Sequence, residues 1–428
     1  MVKPGYKQTE IGVIPEDWTI MCAGDFIEVL TDFTANGSFE SLAENVTYHD
    51  YPDYARLVRL TDIRSDFKNQ GIYVSKDSYY FLKKSSLTGG ELLLANVGAY
   101  AGYSFLFRKN FQEYATLGPN MFLIKCDNKI ISEKYMEYVF GYGSVFKNLI
   151  DAAASSAQPK INKDNVRKSK AVIPSLAEQE RIAEALSDVD SMIFSLEKLI
   201  AKKKAVKQGA MQELLTGKKR LPGFDGEWKT LTLAEIGLIT GSGVDKKILP
   251  DEQPITLLNY TNVYHQVSIS RKDLNHQVTA SIEKIKNCSV LKGDVFLTPT
   301  SETPEEIAIS AVALEDMPDV VYSYHIVRLR SDTCYNGAFI NYALSTPMFR
   351  EQAVQFAEGS GIRYVITLKK FKEMQLYIPT DKAEQGAIVL ILSDMDNEIE
   401  ALEQKLAKTR QLKQGMMQQL LTGKIRLV

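Results

Sequence analysis

Two stretches of the chain repeat apolar residues at steps of four and three. Ile182, Leu186, Val189, Ile193, Leu196 and Ile200 make the first row, and Ile388, Leu392, Met395, Ile399, Leu402 and Leu406 the second. Such steps keep side chains on one stripe of an α-helix, and two such helices predict a coiled-coil seam. Both stretches carry end signals. Ser175 before Glu178, and Asp381 before Glu384, predict a capping residue with a carboxylate that reaches back to it. Each stretch closes on Leu-Leu-Thr-Gly-Lys, so Gly217 and Gly423 are set for the left-handed cap, with Lys218 and Lys424 at the negative helix end. About 40 residues at about 1.5 Å each predict rods of roughly 60 Å. The rest of the chain, 15–172 and 228–377, reads as mixed α/β. Apolar runs at 91–95, 121–125, 294–298 and 324–330 predict strands, and one modest helix fits each region, near 133–140 and 337–344.

The helical stretches are copies. Residues 177–221 and 383–427 align at a constant offset of 206 with 25 identities in 45 positions. Weaker likeness surrounds them. Leu60-Thr61-Asp62-Ile63 sits like Tyr260-Thr261-Asn262-Val263, Gly90-Glu91-Leu92 like Gly293-Asp294-Val295, and Trp18 and Trp228 open the two variable regions. A period this long is a duplicated half-protein and not a solenoid. Two similar heads held by long helices suit a spacer better than a catalytic core.

Composition narrows the class. The 428 residues suit about three units. With 51 basic against 53 acidic residues the net charge is −2, so no bulk basic charge points to nucleic acid. Four cysteines, Cys22, Cys126, Cys288 and Cys334, stand far apart without a C-x-x-C, against a disulfide framework or a zinc ribbon. No apolar run approaches the roughly 18 residues of a membrane span, and the first residues lack a signal-type apolar region; the expectation is a soluble intracellular protein.

Catalytic motifs are missing. There is no G-x-x-x-x-G-K-[ST] phosphate loop, no H-E-x-x-H, no G-x-S-x-G and no [DNS]-P-P-[YF] of amino-methyltransferases, and His49, His265, His276 and His325 lack ligand spacing. Pro52-Asp53 followed by Asp66-Phe67-Lys68 formally fits a metal-dependent nuclease pattern, but it falls in a polar, turn-like segment. The expectation is no catalytic residue and no metal.

Alternating α/β units and near-identical helices resemble the specificity (S) subunit of type I restriction–modification systems. The likeness rests on Tyr6-Lys7-Gln8-Thr9-Glu10-Ile11-Gly12-Val13-Ile14-Pro15-Glu16-Asp17-Trp18, on the Ile-Pro…Ala-Glu-Gln helix starts, and on residues 214–228. It covers the whole chain in order. Gly386-Ala387 departs from Glu180-Arg181 of the first helix. The resemblance implies an α+β protein: two target-recognition domains, 1–174 and 218–380, joined by helices 175–217 and 381–428 in an antiparallel coiled coil, pseudo-two-fold duplicated. It further implies a non-catalytic subunit of the prokaryotic cytoplasm. Each recognition domain reads one half of a bipartite double-stranded DNA target, and the coil sets the spacer. Two methyltransferase (M) subunits dock on the helices and carry S-adenosylmethionine and the adenine N6 chemistry, and restriction (R) subunits bring ATP and Mg²⁺.

Reading bases takes side chains with paired donors and acceptors on loops that enter a groove. In the first unit the candidates are Arg59, Thr61, Asp62, Arg64, Asn96, Tyr100, Gln158 and Lys160; in the second they are Tyr260, Asn262, Thr298, Thr300, Ser301, Glu302, Ser360 and Arg363. Basic clusters close each unit: Lys160, Lys163, Arg167, Lys168 and Lys170, then Arg363, Lys369, Lys370 and Lys372. Phosphate contacts and ordinary solvated faces are the two readings of these clusters. A protein-binding coiled-coil scaffold and a nuclease built on Asp53, Asp66 and Lys68 are the alternatives.

Overall fold

The computed structural model describes residues 3–108, 114–154 and 159–428. Two 39-residue helices, Leu176–Leu214 and Lys382–Leu420, carry the seam. The chain divides into two units, Met1–Glu197 with Lys405–Val428, and Lys198–Gln404. Each unit thus takes one head together with part of both helices.

Inside each unit the helix segments pack antiparallel. In the first, Asp190 pairs with Lys413 at 2.5 Å and Glu197 with Arg410 at 2.6 Å. In the second, Lys203 pairs with Glu398 and Lys204 with Glu403, both at 2.7 Å, and Lys207 with Asp396. Ile182, Leu186, Ile388 and Leu392 are fully buried, and Leu196, Ile200 and Ile399 nearly so. Val189, Ile193, Met395, Leu402 and Leu406 are half-buried. The seam therefore starts inside the cores of the heads: Ile182 and Leu186 share a cluster with Trp18, Phe26 and Tyr135, and Ile388 and Leu392 share one with Trp228, Phe339 and Phe371. Each such aliphatic side chain removed from water stabilises its unit by about 1.5–3 kcal/mol.

The helix caps differ from expectation in one respect. The Ser175 hydroxyl accepts the Glu178 N–H at 3.3 Å and Asp381 accepts the Ala383 N–H at 2.8 Å. The Glu178 and Glu384 carboxylates do not complete the box; both turn to arginines. A buried carboxylate gains more from a guanidinium than from one further backbone N–H. At the other ends Gly217 and Gly423 adopt φ +68° and +70°, the left-handed cap.

Each head holds two larger sheets whose strand order repeats. In the first, strands Ser104–Leu106, Leu92–Ala95, Met121–Cys126 and Ile27–Asp32 form an antiparallel sheet, and Tyr48–His49, Ile72–Val74, Ala55–Val58, Ala115–Leu117 and Ser86–Leu87 form a second. Ala55–Val58 and Ala115–Leu117 are its parallel pair. In the second head Ser310–Ala313, Val295–Leu297, Val327–Ser331 and Gly237–Thr240 repeat the first sheet, with Ser268–Ile269 added at one edge. Gln277–Ala280, Gln253–Leu258, Met317–Tyr322 and Ser289–Val290 repeat the other, again with one parallel pair. Two features exceed the single helix expected per head. Helices Glu133–Gly141 and Ser144–Ala154 stand side by side in sequence in the first head, and Gly337–Ala343 and Pro347–Phe356 in the second. The Tyr142-Gly143 and Ser345-Thr346 breaks between them hid the later member of each pair.

Candidate nucleic-acid interface

In the first unit the parallel strands Ala55–Val58 and Ala115–Leu117 end side by side, and the segment from Arg59 to Arg64 leaves from that edge. Asp62 builds this turn. Its fully buried carboxylate accepts the Arg59 N–H at 2.8 Å, the Arg59 guanidinium at 3.0 and 3.1 Å and the Asn69 amide at 2.9 Å. Burial would raise the carboxyl, but the bonds from Arg59 and Asn69 outweigh it and hold Asp62 below its ordinary range. Thr61 and Arg64 are left exposed. The Arg64 guanidinium lies 3.9 Å from the Tyr100 ring centre, a cation–π contact. Tyr100 belongs to the turn after Leu92–Ala95, and that turn is tied to the Lys160 segment. Gly98 N–H donates to Pro159 O at 2.9 Å, Ile161 N–H donates to Asn96 O at 2.8 Å, and Val97 bridges to Lys160. Arg64, Asn96, Tyr100 and Lys160 therefore share one surface. The Asn96 side-chain oxygen is buried there without a hydrogen-bond partner among the described residues. Gln158 lies outside the described residues.

In the second unit Asn262 plays the part of Asp62, accepting the Asn259 N–H at 2.9 Å. Tyr260 donates its hydroxyl to Thr300 O at 2.7 Å and stacks on Tyr264. Thr298 is fully buried, with its hydroxyl accepting the Ile309 N–H at 3.0 Å, so it supports the loop. Thr300 and Ser301 form the short edge strand of a three-stranded sheet with Arg363–Val365 and Glu358–Ser360. Glu302, Ser360 and Arg363 are exposed at its end. Burial, then the positive charges of Lys246 and Arg363, hold His325 below the usual imidazole range, so a positive field reaches this surface.

The basic clusters split in two. Lys163 pairs with Asp32, Arg167 with Asp164, Lys170 with Glu10 and Lys370 with Glu358. Lys160, Lys168, Arg363, Lys369 and Lys372 are exposed and make no salt bridge among the described residues. The nuclease-like pattern does not assemble. Asp66 and Phe67 sit at φ +52° and +56° in an exposed turn where Lys68 pairs with Asp66, while Asp53 pairs with His49. No metal-binding group of carboxylates, histidines or cysteines occurs among the described residues.

What positions these surfaces is a duplicated fastening. In the first unit the Tyr138 hydroxyl donates to Asp190 at 3.0 Å, and Lys413 pairs with the same carboxylate and lies over the Tyr138 ring. In the second, Tyr342 donates to Asp396 at 2.7 Å, and Lys207 pairs with that carboxylate and lies over the Tyr342 ring. Burial and the neighbouring aspartate push both tyrosine hydroxyls up, so they stay protonated donors. Arg426 grips Glu178 at 2.6 and 2.8 Å above the Trp18 ring, and Arg220 grips Glu384 at 2.7 and 2.8 Å above Trp228. Gln179 and Gln385 each tie a helix start to the head, accepting the Ser132 and Asn336 N–H groups. The sequence marked Trp18, Trp228, Glu178 and Glu384 as domain and helix starts, but not these contacts. The signal was present: the aspartates, lysines, glutamates, glutamines and arginines of the fastening recur at the offset of 206, and they lie off the apolar seam.

A head that presents exposed polar loops at a sheet edge, fastened to a paired helix and repeated once, defines a two-headed recognition protein. The type I restriction modification DNA specificity domain matches residues 15–208 and again 225–411, and the chain belongs to that family. It is a specificity subunit, a DNA-recognition component of type I restriction–modification complexes that is not itself catalytic. The type I restriction enzyme MjaVIII specificity subunit of Methanocaldococcus jannaschii is 24% identical over 430 residues, 97% of this chain and 94% of that protein. Among solved structures, the type I S subunit from M. genitalium superposes with a TM-score of 0.57 at 14% identity, covering 98% of each chain. A chain from work on complex assembly and conformational transition of the type I R-M system gives 0.56 at 14% identity, covering 96% of this chain and 99% of that one. These likenesses carry the fold: two similar α/β domains joined by a coiled coil. No helix among the described residues is long and apolar enough to cross a membrane.

Proposed function

We propose that each head reads one half of a bipartite DNA target, in the prokaryotic cytoplasm, and that the paired helices set the spacer. The two helices dock two M subunits, which hold S-adenosylmethionine and methylate adenine N6. R subunits join that complex with ATP and Mg²⁺. The observation that carries this reading is the duplicated fastening: the same tyrosine–aspartate–lysine and glutamate–arginine contacts hold two heads whose described exposed loops differ in sequence. In the first head Arg59, Thr61, Arg64, Asn96, Tyr100, Gln158 and Lys160 meet DNA, with Asp62 bracing the turn. In the second, Tyr260, Asn262, Thr300, Ser301, Glu302, Ser360 and Arg363 do so, with Thr298 bracing the loop.

The test exchanges residues 15–172 for those of a relative and maps N6-methyladenine in DNA treated with the S–M complex. One half of the target should change and the other should stay. A change in both halves, or in neither, would overturn the assignment of one half-site to each head.

A further inference from the structure

The second head carries a short hairpin ahead of helix Leu368–Glu373; in the first head residues 155–158, at the corresponding place, lie outside the described residues. Strands Glu358–Ser360 and Arg363–Val365 pair as a hairpin, and Thr300–Ser301 covers only its base, opposite Val365 and Tyr364. Beyond that base the arm is two strands wide, with Ser360, Gly361, Ile362 and Arg363 at the tip. Glycine makes the turn possible. Gly361 adopts φ +70°, and a side chain at Gly359, φ +148°, would collide with the Arg363 carbonyl. Between these glycines and the arginine stands Ile362, 85% exposed. An isolated exposed isoleucine needs no explanation by itself. This one occupies the protruding turn of a ribbon, where Asn, Asp or Gly is the usual choice. Beside it Arg363 is exposed and makes no salt bridge among the described residues, and Glu302 is exposed at the end of the third strand.

Resting on the proposal that this head reads DNA, we infer that the arm enters the major groove and that Ile362 reads the C5-methyl group of a thymine. The major groove, about 12 Å wide, admits a two-stranded ribbon and shows a distinct pattern for each base pair, which the minor groove does not. Only the major groove displays the thymine methyl, which apolar side chains contact, and guanine O6 and N7, which arginine contacts in bidentate fashion. Ile362 and Arg363 are neighbours at the tip, so the half-site holds a thymine within a base-pair step of a guanine. Arg363 was anticipated from its type; Ile362 was not, because an apolar residue carries no hydrogen-bond code.

The test uses the S–M complex on duplexes carrying its mapped target, each thymine of both half-sites replaced in turn by deoxyuridine. At one position, in the half-site of the second head, loss of the methyl group should weaken binding about four-fold, the value of one buried methyl-sized group. Ile362→Ala should weaken binding to the thymine duplex by a similar factor and abolish the difference between thymine and uracil there alone. Ile362→Val should keep most of it. Arg363→Ala should cost about 5-fold to 150-fold at the adjacent guanine. A uracil effect of equal size in wild type and Ile362→Ala, no uracil effect in that half-site, or a half-site without thymine would each overturn the inference while leaving the half-site assignment intact. A complex that modifies DNA without any fixed half-site would instead overturn the reading beneath it.

Discussion

The two units are fastened alike and finished differently. Asp190 and Asp396 each take one tyrosine from the head and one lysine from the facing helix, and Glu178 and Glu384 each take an arginine that follows the facing helix. At the sheet ends the described loops differ: the first head sets Arg64 on Tyr100, and the second carries a glycine-rich hairpin. A charged contact that fixes a rigid element tolerates few substitutes, because removing one partner strands the other in a poorly hydrated place. A loop whose polar atoms face water tolerates many. The fold thus separates what holds a head from what the head reads. Even the fastening has one flaw in its symmetry: the Trp18 indole N–H donates to Glu178 at 2.9 Å, whereas the Trp228 N–H is buried without a partner among the described residues.

The largest test of the shared part removes its carboxylates. Glu178→Ala and Glu384→Ala should each destabilise their own unit, Glu178→Ala the more because it also frees the Trp18 N–H, read by calorimetry as one transition shifted and the other unmoved. A shift of both transitions together would mean that the units are not separately fastened. The tryptophans probe the flaw. Trp18→Phe should cost about 1.5–3 kcal/mol more than Trp228→Phe, since only Trp18 loses a bond to a charged group. Equal losses would show that Trp228 also has a partner in solution. Tyr138→Phe and Tyr342→Phe should cost about 1 kcal/mol each, and equally, because their geometry is duplicated.

The smallest effect concerns acid. Asp62 in the first head and Asn262 in the second cap equivalent turns, but only Asp62 titrates. Its folded carboxyl lies below the ordinary value of 3.8, so its stabilisation is complete above that value and lost as pH falls through the lower folded value. Asp62→Asn should therefore lower the stability of the first unit at pH 7 and flatten its decline as pH falls below 3.8. An unchanged acid profile would remove Asp62 from the account.

The helices, the duplication and two central strands of one sheet in each head were legible because each is a periodic, apolar or repeated property of the chain. Ile182 and Leu186 announce a stripe whatever they touch. The candidate surface was legible only as loops. Asp62 and Thr298 carry groups that read bases, and both are fully buried, their oxygens bonded to the chain itself. Nothing local distinguishes an aspartate that braces a turn from one that faces a groove; that depends on where Arg59 and Asn69 arrive. The fastening residues failed to stand out for the opposite reason. Lys413 and Asp190 are common surface types, and their pairing spans 223 positions in the chain.

The division of the chain also sets an order of events at synthesis. The second unit is one continuous segment, Lys198–Gln404, and the first must wait for Lys405–Val428. At roughly 5–20 residues per second, those residues leave the ribosome about 10–40 s after Glu197. Until then Trp18, Ile182 and Leu186 lack Leu420 and Leu421, and Glu178 lacks Arg426. The head made first closes last.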